Sequence, residues 1–352
     1  MISGNLNKET SRAQHIYDQF KARASRDDEF NDWAGYRDRL TEFVISCIPS
    51  GSSLLILGAG KCNDLDLKKL AEHCGVITLS DYRPETAEEA FRQYGLSPSE
   101  NLRFAESDYV GITDEDYLAY TDLLLKTMEK LSGSQESQDD SQKPQGNQGN
   151  QSNQTSSLEE IAGPELSALK ECLEQIYQRN EGYQISLGNA GNAVSTGNAV
   201  SLGNAVSTGN AGTAVYDNAV VTGVHSQLNN SFRGLFQYVR KDVEDRGGEI
   251  RFLEELNTSI FKTTRRHTKK LVTRFNEAVF AAVREGVVYG YEKNIIYTPS
   301  GADVPVIGTV DGARQAGEAI ANLPAEKTLD CIWPLSRRRG IKFTMSVSYL
   351  LL

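Results

Sequence analysis

Residues Leu54–Asp64 read LLILGAGKCND. The run Ser53–Leu57 is wholly apolar, which suits a strand buried on both faces of a sheet. It passes directly into Gly58-Ala59-Gly60, and a helical stretch, Asp66–His73, opens soon after. Glycines at such a junction let the chain turn tightly and let a ligand approach the backbone. The start of the following helix is expected to offer free N–H groups to a polar or anionic ligand. A Gly-x-Gly pair alone says little, but between a strand and a helix it marks a nucleotide-type binding turn.

Working outward, the same alternation continues. Val76–Leu79 reads as a second strand, Pro84–Tyr94 as a helix ended by Gly95, and Leu102–Ala105 as a third strand. Helical stretches Glu115–Lys130 and Leu158–Gln178 follow, then a fourth strand at Asn218–Thr222. A long helical stretch, Phe252–Arg284, leads to a fifth strand, Gly286–Tyr291. Leu329–Trp333 and Lys342–Leu350, separated by a short basic turn, read as an antiparallel pair. Upstream, Gln14–Ile48 carries Phe20, Phe30, Trp33, Tyr36, Leu40 and Phe43 at three- and four-residue steps and predicts a helical N-terminal cap over residues 1–50. Strands alternating with helices imply crossover connections, hence an α/β fold with a doubly wound, mostly parallel sheet over residues 51–352.

Two stretches break the pattern, both in an insertion between strands three and four. Residues 132–157 contain no aliphatic or aromatic side chain and are expected to be disordered. Residues 182–215 carry no charge and repeat GNAVS at a period of six. A short β-solenoid is one reading of that period, and an expanded loop of small residues is the favoured one, because three copies with only Val and Ala cannot stack into a coil.

Asp81, in LSDYRP, follows the second strand and lies 21 positions beyond Gly60. An acid there can accept hydrogen bonds from both hydroxyls of a ribose, and Tyr82 is beside it. The alternative is a helix cap for the Pro84 helix. Asp108, in FAESDYVG, follows the third strand, where it can accept an adenine amino hydrogen with Tyr109 against the ring; a solvated turn acid is the alternative. His225, just past the fourth strand, is the weak candidate for a general base, against a structural role. Gln227, Asn229 and Asn230 follow it as polar contacts or helix caps.

Glycine turn after strand one, acid after strand two, Asp after strand three and a closing antiparallel pair together resemble the class I S-adenosylmethionine-dependent methyltransferases. The resemblance covers roughly Leu54–Asp108 and Tyr216–Leu352. It implies a seven-stranded sheet, S-adenosylmethionine as cofactor, and contacts to it from Gly58, Ala59, Gly60, Asp81, Tyr82, Asp108 and Tyr109. Two positions depart from the family pattern. Ile56 stands where an acid is frequent, and Cys62 stands at the third loop glycine; Asn63 and Asp64 are placed to supply polar contacts instead. The resemblance implies methyl transfer to an acceptor that the sequence does not name. A noncatalytic ligand- or partner-binding module is the alternative. A nucleotide-dependent oxidoreductase is the second, but its fingerprint wants a third glycine where this chain has Asn63.

Composition bounds the rest. The 352 residues are 39% hydrophobic and 24% charged, enough apolar material for a core. With 37 basic and 47 acidic residues the net charge is −10, which disfavours broad nucleic-acid binding. The basic stretch FKTTRRHTKKLVTRF at Phe261–Phe275 has no interleaved aromatic platform and reads as a solvated helix face rather than an RNA surface. No run approaches the ~20 apolar residues of a membrane span. The five cysteines are scattered and the four histidines lack ligand spacing, so reduced thiols, a cytoplasmic location and no metal are expected.

Overall fold

The computed structural model describes residues 11–22, 29–132, 157–187, 215–298 and 306–352. The stretch expected to be disordered and the GNAVS repeat lie, apart from their ends, outside the described residues. In chain order the elements are α1 (Arg12–Ala22), α2 (Glu29–Asp32), α3 (Ala34–Cys47), β1 (Ser53–Leu57), α4 (Leu67–His73), β2 (Val76–Asp81), α5 (Pro84–Gln93), β3 (Leu102–Glu106), α6 (Asp114–Ser132), α7 (Leu158–Arg179), β4 (Tyr216–Thr222), α8 (Asn230–Asp245), α9 (Leu253–Ala282), β5 (Val283–Tyr297), β6 (Val306–Gly308), α10 (Asp311–Ile320), β7 (Ala325–Ser336) and β8 (Ile341–Leu351).

These residues form two compact units. One comprises α1, α6, α7, α8 and α9 as far as His267. It is wholly helical and is built around rings such as Tyr120 and Phe232, whose centroids lie 4.9 Å apart edge to face. Helix α7 begins at Ser157 because the sequence there is a capping box: Ser157 Oγ accepts the Glu160 N–H at 3.3 Å and the Glu160 carboxylate accepts the Ser157 N–H at 2.8 Å.

The second unit holds the sheet, with order β3-β2-β1-β4-β5-β8-β7, and the short β6 paired to β5. Strands β3, β2, β1, β4 and β5 are parallel, whereas β8 runs antiparallel to both β5 and β7. The expected doubly wound sheet with a terminal hairpin is therefore present, with β6 as an additional short strand. Strand β1 shows why its residues are all apolar. Leu54 and Ile56 enter the core on one face with Tyr36, Leu40 and Leu70, while Leu55 and Leu57 enter the other with Val272, Phe275 and Val279. Strand β5 is much longer than the sequence pattern indicates, because its second half pairs with β8 and β6 rather than with a parallel neighbour.

Candidate functional site

The chain leaves β1 toward β2 on one side, and β4 lies on the other. Such a switch point opens a crevice at the carboxyl ends of the strands. Residues 58–64 cross it. Gly58 and Gly60 take φ +63° and +49°, the left-handed region that suits glycine. Cys62, at the third position, takes φ +50° as well and is fully buried. The turn thus keeps the backbone of a three-glycine loop with a thiol in the last place. Gly60 faces open space, with nothing within 4 Å of where a Cβ would stand. Gly58 is exposed on its outer side, and on the inner side a Cβ would lie 2.6 Å from Val224 Cγ2.

Two side chains tie this turn to its neighbours. The Asp81 carboxylate accepts the Gly60 N–H at 2.9 Å and the Arg83 N–H at 3.2 Å. The Tyr109 hydroxyl meets the Gly58 N–H at 3.0 Å and donates to the Ser80 carbonyl at 2.8 Å. Its ring stands edge-on to Phe275 at 5.2 Å, and burial pushes the phenol well above its ordinary pKa. Tyr109 therefore braces the turn from beneath. Asp108 closes its own loop by accepting the Val110 and Gly111 N–H groups at 2.8 and 2.9 Å. Tyr82 is half exposed beside Asp81.

The start of α4 is different from expectation. Asp66 caps it, accepting the Lys68 and Lys69 N–H groups at 3.1 Å each, so those donors are taken by the chain itself. The helix does not offer them to a ligand. Asp64, just before it, is held by the Thr222 hydroxyl at 3.0 Å. Burial raises its carboxyl to about 6 against the opposing pull of that hydrogen bond and of Arg37.

His225 lies in the core rather than in the crevice. It is fully buried, touches the Asn276 amide oxygen through Nε2 at 2.9 Å, and packs on Phe275 and Tyr289. Burial drives its pKa down to about 4, so the ring is neutral near pH 7. Gln227 donates to Ser226 Oγ at 3.2 Å, and Asn229 donates to the Thr264 carbonyl at 2.8 Å in the helical unit. Lys262, Arg265, Arg266, Lys269 and Lys270 are exposed along α9. Among the described residues no group of His, Cys, Asp and Glu is arranged to hold a metal ion, and no helix is long and apolar enough to cross a membrane. All five cysteines are free thiols.

The sequence reading missed one group entirely. Glu292, at the carboxyl-terminal half of β5, is 1% exposed and accepts a hydrogen bond from Ser226 at 2.5 Å. Trp333 lies beside it across Gly223, and Trp33 and Tyr36 pack on Trp333. Its signal was present: Glu292 is in phase with the buried Val288 and Gly290, an acid on the inward side of an apolar strand.

Five parallel strands in the order 3-2-1-4-5 are shared with dinucleotide-binding sheets, whose sixth strand is also parallel. Here an antiparallel β8 occupies that place, with β7 outside it. The fold is the class I methyltransferase fold. No protein-family model matches the sequence, and no curated protein does. Solved structures similar to this chain include two methyltransferases. The N-methyltransferase NodS from Bradyrhizobium japonicum WM9, in complex with S-adenosyl-L-homocysteine, is 10% identical over 95% of this chain and 98% of its own, with a TM-score of 0.36. An S-adenosylmethionine-dependent methyltransferase from Clostridium acetobutylicum ATCC 824 is 8% identical over 94% and 96%, with a TM-score of 0.30. The fold assignment rests on the strand order and the hairpin.

Proposed function

We propose that the sheet unit binds S-adenosylmethionine at the Gly58–Gly60 turn and transfers its methyl group to a small acceptor. The observation that carries this reading is the Asp81 carboxylate bonded to the Gly60 N–H at the switch point of the sheet. It sets an acid beside a bare turn, the pairing a ribose needs. The residues fit such a group. Gly60 leaves room for close approach. Each oxygen of Asp81 accepts one N–H and has a further lone pair for a ribose hydroxyl. Tyr82, half exposed beside Asp81, would take the adenine ring, and Asp108, after the next strand, its amino group. The bound cofactor would supply a methyl carbon activated by its sulfonium. The chain's part is alignment and exclusion of water, which explains how a site with no charged histidine can serve. Free thiols throughout agree with a reducing, cytoplasmic setting.

Thermal unfolding with S-adenosylhomocysteine or NAD tests this. S-adenosylhomocysteine should raise the melting temperature of the native protein and leave Asp81→Ala unmoved. A rise with NAD alone supports the oxidoreductase. A rise with neither supports a noncatalytic module, and an undiminished response in Asp81→Ala refutes the cofactor placement.

A further inference from the structure

The cluster around Glu292 has features that packing alone does not account for. One carboxylate oxygen accepts from Ser226, which in turn receives a hydrogen bond from Gln227. The other, Oε2, is buried and has no partner. The same is true of Trp33 Nε1 and Trp333 Nε1. Of seven such buried atoms among the described residues, three belong to this one cluster. Buried polar atoms normally find partners, and a group of orphans at one place asks for something that supplies them.

The backbone is shaped around the carboxylate. The register of β5 against β8 slips between Glu292 and Asn294, a bulge of the kind that re-aims a side chain. Gly223, at φ +67°, passes so close that a Cβ would lie 3.2 Å from the Trp333 ring and 3.7 Å from Glu292 Oε1. The rings form a connected set, with Trp33 edge-on to Trp333 at 4.9 Å and Tyr36 stacked on Trp333 at 5.8 Å.

Charge then selects the ligand. Asp64 and Glu292 both act on Tyr36, adding to burial in holding its phenol protonated, so the two acids share one neighbourhood. Arg37, which acts on Asp64, is already committed. It donates to the Phe30 carbonyl at 2.7 Å and the Asn63 carbonyl at 3.1 Å and lies 3.9 Å over the Phe30 ring. Glu292 makes no ion pair among the described residues, and burial raises its pKa. Two carboxylates and three aromatic rings, with the Arg37 guanidinium already committed, favour a cation and repel an anion.

We infer that Glu292, Ser226, Trp33, Tyr36 and Trp333 form a binding site for an organic ammonium group, with its charge at Glu292 and its carbon frame against the indoles. Val224, which touches Gly58, and Thr222, which holds Asp64, connect this site to the glycine turn within the same unit. Resting on the proposed methyl transfer, the site is the one for the acceptor, and the acceptor class is an amine: the bound ammonium would give one proton to the Glu292 carboxylate, and the freed nitrogen lone pair would bond to the methyl carbon as the carbon–sulfur bond breaks and its electron pair stays on sulfur.

The chain has two tryptophans, and both are in this cluster, so intrinsic fluorescence reports on it directly. Benzylammonium chloride should change the emission saturably, and benzyl alcohol, which has the same ring without the charge, should bind at least tenfold more weakly. Glu292→Gln should weaken benzylammonium at least tenfold while keeping the thermal response to S-adenosylhomocysteine, which shows that the fold is intact. Equal responses to the two probes, or no response to either, overturn the inference in the native protein alone, whatever the variant does. An undiminished Glu292→Gln overturns it too. The two readings fail separately. A response to S-adenosylhomocysteine without one to benzylammonium removes the amine site and leaves the cofactor. The reverse keeps the ammonium site and removes its role as acceptor.

Discussion

Asp81 holds Gly60 by a 2.9 Å hydrogen bond from the Gly60 N–H, so the acid after β2 fixes the turn after β1. The same carboxylate therefore has a structural duty and a proposed binding duty. Substitution separates them. Asp81→Asn keeps an oxygen for the Gly60 N–H and should lose little stability, whereas Asp81→Ala should lose about 1–3 kcal/mol. Both should weaken S-adenosylhomocysteine binding. Calorimetric titration alongside urea unfolding separates the two duties, and equal stability of the two variants would contradict the first.

Cys62 occupies a left-handed backbone position that costs a non-glycine residue roughly 1–2 kcal/mol. Cys62→Ala loses the sulfur and retains the strain. Cys62→Gly loses slightly more side chain and releases the strain. Glycine should therefore be at least as stable as alanine here, the reverse of the usual order in a buried position. Urea midpoints of the two variants decide it.

The pKa of His225 falls from 6.5 to about 4 on folding. The unfolded chain then binds the proton more readily, so stability is fully present above pH ~6.5 and falls as the pH drops toward 4, by about 3 kcal/mol for this group. The imidazole resonance of His225, assigned by its absence in His225→Gln, should not titrate above pH 5.

Asp64 has the opposite sign. Its carboxyl rises to about 6 from an unfolded value of ~3.9. The folded state holds that proton more tightly, so its contribution is fully present below pH ~4 and is lost as the pH rises through 6. Asp64→Asn should flatten this part of the stability profile relative to the native protein, measured by unfolding at pH steps of half a unit.

Gly312 and Gly163 make a matched pair. A Cβ on Gly312 would come within 2.0 Å of the His225 carbonyl oxygen, which is backbone and cannot swing away. Gly312→Ala should cost about 3 kcal/mol as α10 is forced outward. Gly163, in α7, has nothing within 4 Å of that position. Gly163→Ala should gain about 0.5–1 kcal/mol from reduced backbone freedom in the unfolded chain. Melting temperatures moving in opposite directions verify the pair.

The sheet was legible where burial on both faces left an apolar signature, as at Leu54–Leu57 and Val220–Val221. Asp81 and the glycine turn were legible because their spacing follows from chain geometry within one crossover. The junction of α9 and β5 was not, since Ala282 and Val283 meet with no glycine or proline to mark the change. Helix α10 and strand β6 were also missed, and α8 was anticipated only through the capping alternative for Asn229 and Asn230. Trp33 and Trp333 illustrate the deeper limit: their rings meet at 4.9 Å, yet 299 intervening residues carry no local pattern that announces the contact. Side chains assembled by topology become visible only when the topology is.

Strand β7 pairs with β8 and with no other strand, while β8 fills the slot between β7 and β5. Synthesis order thus runs against assembly order. β7 precedes β8 in the chain, yet its ladder of N–H and C=O groups stays unmatched until the 11 residues of β8 are seated. Until β8 is seated, the edge of β5 and the whole of β7 are open to foreign strands, and a released chain that ends in the β7–β8 turn would be the species most prone to mispairing.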